Sequence, residues 1–197
     1  MELDVISMGD ALRLIEEHRR DAVVVPTMTA GSGWSAVTGV ESLDLPVSGA
    51  MGKASSVALG ICLARPDKRV ILVDGDGSLL MNLGTLVTVG GQAPENLYHF
   101  VLDNGVYAIT GGQPVPNAGK VSFMTLARGA GYASAFEFED LEELATSMDR
   151  LMSATGPVLV ALKTAPEVEN TPLNLRSRGR VRRTPEAIKD IRKALAR

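Results

Sequence analysis

The chain is most informative at Val70-Ile71-Leu72-Val73-Asp74-Gly75-Asp76-Gly77-Ser78, where an apolar run ends in an acid flanked by glycines. The apolar run predicts a short buried strand, and the glycines predict a sharp turn from that strand into a helix. Glycines on both sides of Asp76 let a phosphate approach the backbone amides, while the carboxylate stands where it can hold Mg²⁺. The alternative is a strand-ending turn whose acid caps the next helix, and for Asp74 both interpretations stay open.

A second polar strand end follows in Val101-Leu102-Asp103-Asn104-Gly105-Val106-Tyr107, where Asn104 comes 28 positions after Asp76. One βαβ unit places two parallel strand ends side by side, so Asp76 and Asn104 can reach the same ion. One carboxylate, one amide oxygen, a loop carbonyl and the phosphates of a ligand suit the near-octahedral coordination of Mg²⁺. The spacing therefore predicts a composite metal site, with an ordinary turn at residues 103–105 as the alternative.

Short β-branched runs alternate with helical patterns along the rest of the chain, which is typical of parallel strands joined by crossover helices. This pattern predicts an α/β fold. We expect strands at residues 22–26, 69–74, 97–103, 133–138 and 157–162, and helices near residues 9–20, 50–64, 79–90, 122–129 and 140–154. Residues 27–47 and 111–120 are predicted to be irregular, and both are candidate ligand loops because each follows a strand.

The composition of the 197 residues excludes several classes of protein. A formal net charge of −3 gives no overall attraction to nucleic acid or to an anionic membrane. No uncharged apolar stretch reaches about 18 residues, and the start Met1-Glu2-Leu3-Asp4 does not resemble a leader, so we expect a soluble cytoplasmic protein. The single cysteine, Cys62, lies in an apolar run and is expected to be a small core residue.

Two parts of the chain are predicted. Residues 1–165 are expected to form one domain, and residues 166–197 a basic linker with a C-terminal helix that packs on the domain or on a partner. The linker contains the basic stretch 176–183. Thr184-Pro185-Glu186 predicts the start of the last helix, because threonine can cap a helix and proline fits its first turn.

The motif residues resemble those of a known family. Gly75-Asp76-Gly77, a helix, a strand and Asn104 resemble the metal and diphosphate motif of thiamine-diphosphate enzymes, and residues 48–60 resemble the stretch upstream of that motif in the decarboxylase branch. In particular, the chain resembles the sulfopyruvate decarboxylase β subunit and the C-terminal domain of phosphonopyruvate decarboxylase. The resemblance continues through Gly111-Gly112-Gln113-Pro114 and residues 184–186. It implies a three-layer sandwich with a mainly parallel central sheet.

The resemblance also implies roles for single residues. Asp76 and Asn104 would bind Mg²⁺ through their side chains, and Val106 would bind it through its backbone carbonyl. Met51 would be the apolar wedge that bends thiamine diphosphate into a V shape, with a core methionine as the alternative. The carbonyl of Gly49 would accept a hydrogen bond from the aminopyrimidine. The other implied cofactor contacts are Thr29, Gly75, Gly77, Ser78 and Tyr107.

The implied activity is the decarboxylation of a small 2-oxo acid similar to sulfopyruvate or phosphonopyruvate. The cofactor performs the bond-breaking, while the protein orients and desolvates it. In these families the pyrimidine is activated by a glutamate from a separate pyrimidine-binding domain, for which a chain of 197 residues has no room. The resemblance therefore implies an α-type partner subunit that supplies the glutamate, in a dimer or a heterotetramer.

Three basic residues have no assigned role in this scheme. Lys53 stands where a neutral residue or a histidine is expected; it could meet an anionic substrate, or it could be a surface lysine at a helix start, which we favour. His99 lies inside a predicted strand, where a packed histidine is expected rather than a catalytic one. His18 belongs to the charged stretch 16–20 and is expected to be a solvated surface residue.

Three other functions stay open. A non-catalytic or regulatory subunit would keep the fold and the cofactor without turnover. A nicotinamide-dependent oxidoreductase is suggested by the loose glycine pattern at residues 31–36, but that interpretation leaves Asp76 and Asn104 unexplained. The cofactor subunit of a 2-oxo-acid:ferredoxin oxidoreductase is a further alternative, although a single cysteine leaves the chain without a cluster.

Overall fold

A computed structural model describes residues 5–168 and 182–196 and contains two sheets. The strands are β1 (Val23–Pro26), β2 (Val70–Gly75), β3 (Leu97–Asp103), β4 (Val106–Tyr107), β5 (Gln113–Pro114), β6 (Ser134–Phe138) and β7 (Val158–Lys163). Five of them form a parallel sheet in the order β1-β2-β3-β7-β6. The short strands β4 and β5 pair antiparallel beside it.

Helices cover both faces of the parallel sheet. They are α1 (Met8–Glu17), α2 (Met28–Val37), α3 (Ala54–Ala64), α4 (Asp76–Leu80), α5 (Thr85–Gln92), α6 (Phe123–Ala130), α7 (Leu141–Ser153) and α8 (Thr184–Leu195). One apolar core lies between the sheet and α1, α2 and α7, and the second lies between the sheet and α3, α5, α6 and α8. The predicted three-layer α/β fold with a mainly parallel sheet is confirmed.

The β2 sequence explains why the sheet needs both layers. Val70 and Leu72 belong to one core, while Ile71 and Val73 belong to the other, and all four are completely buried. A continuous apolar run of this kind is stable only when both faces of the strand are covered, since each buried aliphatic side chain contributes about 1.5–3 kcal/mol. The register pairs Gly75 with Leu102, so the chain leaves β2 and β3 at the same edge of the sheet.

The prediction that residues 27–47 are irregular was wrong, because α2 occupies much of that segment. Its sequence favours a helix only weakly, but Trp34 is 1% exposed and packs into the core. Gly33 allows a close approach to α1, since a Cβ there would lie 2.6 Å from Leu12 Cδ1. Burial against the sheet and α1 therefore outweighs the poor local propensity. The glycine pattern 31–36 lies inside this helix and not in a turn before one.

Two other helix predictions were wrong at their boundaries. The helix expected at residues 50–64 begins only at Ala54, because Gly49 and Gly52 adopt φ values of +71° and +76° that a right-handed helix does not allow. The helix expected at residues 79–90 is divided into α4 and α5. The break between them contains Asn82, whose side-chain amide donates to the Gly52 carbonyl at 2.9 Å.

The last helix packs on the domain. Ala187 and Ile191 of α8 are buried in the core that contains α3. The prediction that Thr184 caps this helix was wrong, because its hydroxyl donates to the Pro46 carbonyl at 3.0 Å instead. Of the basic stretch 176–183, residues 176–181 lie outside the described residues. The division at residues 165 and 166 stays a prediction.

Other single-residue expectations had mixed outcomes. Cys62 is buried, and this burial raises the pKa of its thiol to about 12. His18 lies at the surface but is half-buried, with Nδ1 2.8 Å from the Leu14 carbonyl oxygen, so it is only partly solvated. Within the described residues, no helix has both the length and the apolar character needed to cross a membrane.

Candidate functional site

A cavity lies at the carboxyl edge of the parallel sheet. The residues that directly follow four neighbouring strands contribute to its wall, and Met8 and Met51 add to it from other segments. The four contributing segments lie within residues 27–30, 75–78, 104–110 and 164–167, after β1, β2, β3 and β7. Ligands of open parallel sheets bind beyond the carboxyl ends of the strands, so this cavity is the candidate functional site.

Asp76 joins two of the loops around the cavity. It is the first residue of α4 and is 2% exposed. The Gly77 amide donates to its Oδ1 at 2.7 Å, and the Gly105 amide donates to its Oδ2 at 2.7 Å. The carboxylate therefore ties the turn after β2 to the turn after β3, as the sequence spacing suggested.

The charge of Asp76 has little internal compensation. Burial raises the pKa of Asp76 to about 6; the Gly77 and Gly105 amides act in the opposite direction, and the nearby Asp103 carboxylate raises it further. Within the described residues, no lysine, arginine or histidine forms an ion pair with it. A bound cation would stabilise the ionised carboxylate here.

Asn104 lies in the wall of the same cavity as Asp76. Its Oδ1 accepts a hydrogen bond from the Val106 amide at 3.0 Å, which shapes the turn between β3 and β4. An amide oxygen has two lone pairs, so this contact leaves one for a ligand. Val106 and Tyr107 follow in the same wall.

The cavity wall depends on a close contact between Gly77 and Tyr107. A Cβ at Gly77 would lie 2.5 Å from Tyr107 Cε1, so only glycine fits without displacing the ring. At Gly75 a Cβ would meet nothing within 4 Å. The two glycines of the motif therefore serve different purposes, since the first gives access to the backbone and the second allows close packing.

The segment with Met51 is held against the motif. The Gly52 amide donates to Ser78 Oγ at 3.2 Å, and Met51 is half-buried and lines the cavity. Gly49 is exposed and is not among the residues that line the cavity. Lys53 is also exposed and outside the wall, which agrees with a surface lysine at a helix start.

The structure thus gathers nearly all of the predicted contacts around one cavity. They are Thr29, Met51, Gly75, Asp76, Gly77, Ser78, Asn104, Val106 and Tyr107. Gly49 is the exception. Their roles towards a cofactor stay predictions, because placement in one wall does not establish contact with a ligand.

Sequence reasoning missed several wall residues. Met8 comes from α1, and Thr164, Ala165 and Glu167 follow β7. A polar residue directly after a buried strand is the signal that predicted the other loops, and Thr164 carries it after β7. No comparable signal marks Met8, which reaches the cavity through the packing of α1 on the sheet.

The donor set restricts how a metal could be held. In the part of the chain that the structure describes, no group of three or more His, Cys, Asp or Glu residues could hold a metal ion. A cation at Asp76 would therefore depend on amide, carbonyl and phosphate oxygens besides the one carboxylate. Mg²⁺ accepts such a set, since it commonly bridges phosphate oxygens and few protein ligands. The residues fit a magnesium-diphosphate ligand.

A family comparison defines the class of protein. The model of the thiamine pyrophosphate enzyme C-terminal TPP-binding domain matches residues 27–162, and the chain belongs to this family. Thiamine pyrophosphate is another name for thiamine diphosphate, so the family resemblance and the implied cofactor are confirmed. Mg²⁺ usually accompanies that cofactor in this family.

Two individual proteins of known activity are similar to this chain in sequence. Phosphonopyruvate decarboxylase of Streptomyces viridochromogenes is 40% identical over 154 residues, which cover 78% of this chain and 38% of the relative. Sulfopyruvate decarboxylase subunit beta of Methanocaldococcus jannaschii is 37% identical over 118 residues, which cover 60% of this chain and 62% of the relative. The chain thus spans less than two thirds of the length of either protein.

Solved structures share the fold. Thiamine diphosphate-dependent 4-hydroxybenzoylformate decarboxylase of Rhodococcus jostii RHA1 matches with a TM-score of 0.70 and 20% identity, covering 85% of this chain and 34% of that one. Benzoylformate decarboxylase of Polynucleobacter necessarius matches with a TM-score of 0.69 and 17% identity, covering 83% and 34%. At these identities the likeness concerns the fold alone.

Proposed function

We propose that this chain is the cofactor-binding, β-type subunit of a thiamine-diphosphate-dependent 2-oxo-acid decarboxylase, a carboxy-lyase. The observation that carries the proposal is the buried Asp76 carboxylate, which joins two strand-end loops at one cavity and forms no ion pair with a basic residue in the described part of the chain. The relatives named phosphonopyruvate decarboxylase and sulfopyruvate decarboxylase subunit beta support an acidic 2-oxo acid of that kind as the substrate.

The wall residues predicted from the sequence have the following proposed roles. Asp76, Asn104 and the Val106 carbonyl would hold Mg²⁺, which would help to bind the diphosphate. The amides near Gly77 and Ser78 lie where α4 begins, and they bind the diphosphate together with Thr29, Gly75 and Tyr107. When bound, thiamine diphosphate supplies the electron sink for loss of carbon dioxide from a 2-oxo acid.

A second subunit completes the site in this proposal. Met51 bends the cofactor, and the Gly49 carbonyl accepts a hydrogen bond from its aminopyrimidine. The exposure of Gly49 supports a partner that covers this side, since the pyrimidine needs a second wall. An α-type, pyrimidine-binding subunit supplies that wall and the activating glutamate, in a dimer or heterotetramer. The relatives named as β subunits support such a partner.

The surface near the break between α4 and α5 also supports contact with another chain. Met81 is 62% exposed and Val87 is 65% exposed. No charged residue occurs between Gly77 and Pro94. Exposed apolar side chains on an uncharged face are typical of surfaces that another protein covers. The expected cytoplasmic location stays a prediction.

Calorimetric titration of thiamine diphosphate with Mg²⁺ into the full chain tests the cofactor site. We expect Asp76→Ala to weaken cofactor binding at least about a hundredfold and Asn104→Ala to weaken it about tenfold, because each variant removes a proposed metal ligand. Asp67→Ala is the matched control, since Asp67 is an exposed acid outside the cavity wall.

The partner and the substrate need a second experiment. If the isolated chain binds no cofactor, the titration is repeated with the candidate pyrimidine-binding subunit present. Release of carbon dioxide from sulfopyruvate and phosphonopyruvate is then compared in the same mixture. An assembly that binds no cofactor would overturn the proposal, and binding without turnover of any 2-oxo acid would favour the regulatory alternative.

A further inference from the structure

Three polar side chains are buried beneath the cavity, on the sheet face covered by α3, α5 and α6. Asp74 is 1% exposed, His99 is 0% exposed and Tyr132 is 6% exposed. His99 Nδ1 lies 3.1 Å from the Tyr132 hydroxyl, and His99 Nε2 lies 3.8 Å from Asp74 Oδ2. The Gly75 amide donates to Asp74 Oδ1 at 2.9 Å. The three side chains therefore form a chain of contacts from Tyr132, which follows α6, to Gly75, the last residue of β2 and the first residue of segment 75–78, here called the cofactor loop.

The unpaired donors and acceptors of Asp74, His99 and Tyr132 indicate where the protons lie in this group. His99 Nε2 and Asp74 Oδ2 are both buried and have no hydrogen-bond partner at ordinary distance. An N–H on Nε2 directed at Asp74 satisfies both atoms after a shift of less than 1 Å. A neutral imidazole with its proton on Nε2 must accept at Nδ1, so the Tyr132 hydroxyl donates there.

We propose that His99 and Tyr132 are positioning residues for the cofactor loop, acting through Asp74 on the peptide that begins it. This inference rests on the proposed function, since the loop matters as the site of thiamine diphosphate. Neither His99 nor Tyr132 lines the cavity. Outer hydrogen-bond partners of this kind fix the orientation of the groups that touch a ligand. Gly75 is the loop residue they hold, because its amide is bonded to Asp74.

Tyr132→Phe is the most informative variant, because it removes one hydroxyl and keeps the ring. Nδ1 of His99 then loses its donor, so the imidazole is no longer anchored on the side of α6 and holds Asp74 Oδ2 less firmly. We expect faster hydrogen exchange at the Gly75 amide and a dissociation constant for Mg²⁺ and thiamine diphosphate about five- to tenfold higher.

Tyr98→Phe is the matched control. Tyr98 is the neighbour of His99 on β3 and is 5% exposed, and its hydroxyl donates to the Ala154 carbonyl at 3.0 Å. Tyr98 belongs to the core on the opposite face of the sheet. Both variants lose one buried hydrogen bond, so both should reduce global stability to a similar extent, whereas only Tyr132→Phe should affect Gly75.

Rescue by a conservative substitution separates positioning from packing. His99→Gln keeps a side-chain amide that can donate towards Asp74, whereas His99→Leu fills a similar volume without a donor. We expect His99→Gln to retain cofactor affinity within about threefold of wild type. His99→Leu should show at least the loss seen with Tyr132→Phe, provided that the folded chain is obtained.

The experiment combines a ligand-free and a ligand-bound readout on the full chain. Nitrogen-15 NMR of His99 reports the tautomer, amide exchange reports Gly75, and calorimetry with Mg²⁺ and thiamine diphosphate reports affinity. An Nδ1–H tautomer in the wild type would overturn the inference, as would identical Gly75 exchange in Tyr132→Phe and Tyr98→Phe. If the wild type binds no cofactor either alone or with the pyrimidine-binding subunit present, the proposed function fails, while the two NMR readouts still decide the positioning role.

Discussion

Asp44 and Asp76 are both buried carboxylates, but their surroundings differ. Asp44 is 5% exposed and Asp76 is 2% exposed. Asp44 forms an ion pair with Arg19 at 2.7 Å, and the Thr38 hydroxyl donates to it at 2.7 Å. Asp76 accepts hydrogen bonds from the Gly77 and Gly105 amides, and a second carboxylate, Asp103, lies nearby. Asp44 has its own countercharge, whereas no basic residue that the structure describes forms an ion pair with Asp76.

The cations near each acid explain this difference. Arg19 is 1% exposed, and its guanidinium also donates to the Val40 carbonyl and lies over the Trp34 ring. Lys163 comes directly before the cavity residue Thr164, but its ammonium pairs with Asp103 at 2.5 Å. An acid that the chain neutralises internally serves structure. An acid that is buried without a cation is suited to a ligand that brings one.

The largest expected effect separates the two acids by stability. Asp44→Ala leaves the buried Arg19 with the longer ion pair to Glu16 at 3.4 Å in place of the closer one to Asp44, so we expect the free energy of unfolding to fall by about 3 kcal/mol. Asp76→Ala removes an uncompensated charge and should change the stability of the ligand-free chain by less than about 1 kcal/mol. Urea unfolding of both variants measures the difference.

A double substitution controls for the loss of Arg19's partner. Arg19→Met combined with Asp44→Leu replaces the pair by apolar groups, and we expect it to recover much of the stability lost in Asp44→Ala. The proposed difference between the two acids would be contradicted if Asp76→Ala destabilised the ligand-free chain as strongly as Asp44→Ala does.

A second prediction concerns the packing that encloses Asp76. Gly77→Ala places a methyl group 2.5 Å from Tyr107 Cε1, so the ring must move. We expect a loss of about 1–3 kcal/mol in unfolding free energy, typical of overpacking, together with weaker cofactor binding. Gly75→Ala is the matched control, since its methyl group meets no atom of the chain within 4 Å.

These two glycine variants distinguish packing from access. Gly75→Ala should leave thermal stability unchanged while it hinders the approach of a diphosphate to the backbone. Equal losses of stability in both variants would show that the wall around Asp76 is not set by the contact between Gly77 and Tyr107.

The cavity could be predicted from the sequence where it depends on local order. Asp76 and Asn104 end successive strands of one βαβ unit, and short-range topology alone places them at one edge. The sequence does not predict that Thr164 belongs to the cavity wall. The position of β7 beside β3 follows from the sheet order β1-β2-β3-β7-β6 and not from proximity in the chain. The sheet order is determined by packing over the whole domain.

The ion pair between Arg19 and Asp44 could not be predicted from the sequence, for a related reason. Arg19 belongs to the charged stretch 16–20, which has the composition of a solvated helix end. Its partner Asp44 lies within residues 27–47, which the sequence predicts to be irregular and which contain α2. The pairing depends on how α1 and α2 pack, which local propensity does not determine. Periodicity therefore predicts the layers of this fold better than the contacts between them.

The smallest expected effect is a pH dependence that only Asp76 should show. In the ligand-free folded chain its pKa is raised to about 6, while an unfolded aspartate has a pKa of about 4. Because the folded-state pKa is the higher one, the contribution of this group to stability is fully present below about pH 4 and is lost as the pH rises through about 6. Asp76→Asn removes the titration, so the stability of this variant relative to wild type should increase between pH 4 and pH 7 by on the order of 1–2 kcal/mol.

Urea unfolding at several pH values measures this stability difference. Adding Mg²⁺ with thiamine diphosphate at pH 7 should reverse the sign of the difference, because only the wild type gains the cation. A stability difference that stays constant from pH 4 to pH 7 would mean that Asp76 is already compensated within the chain, as Asp44 is.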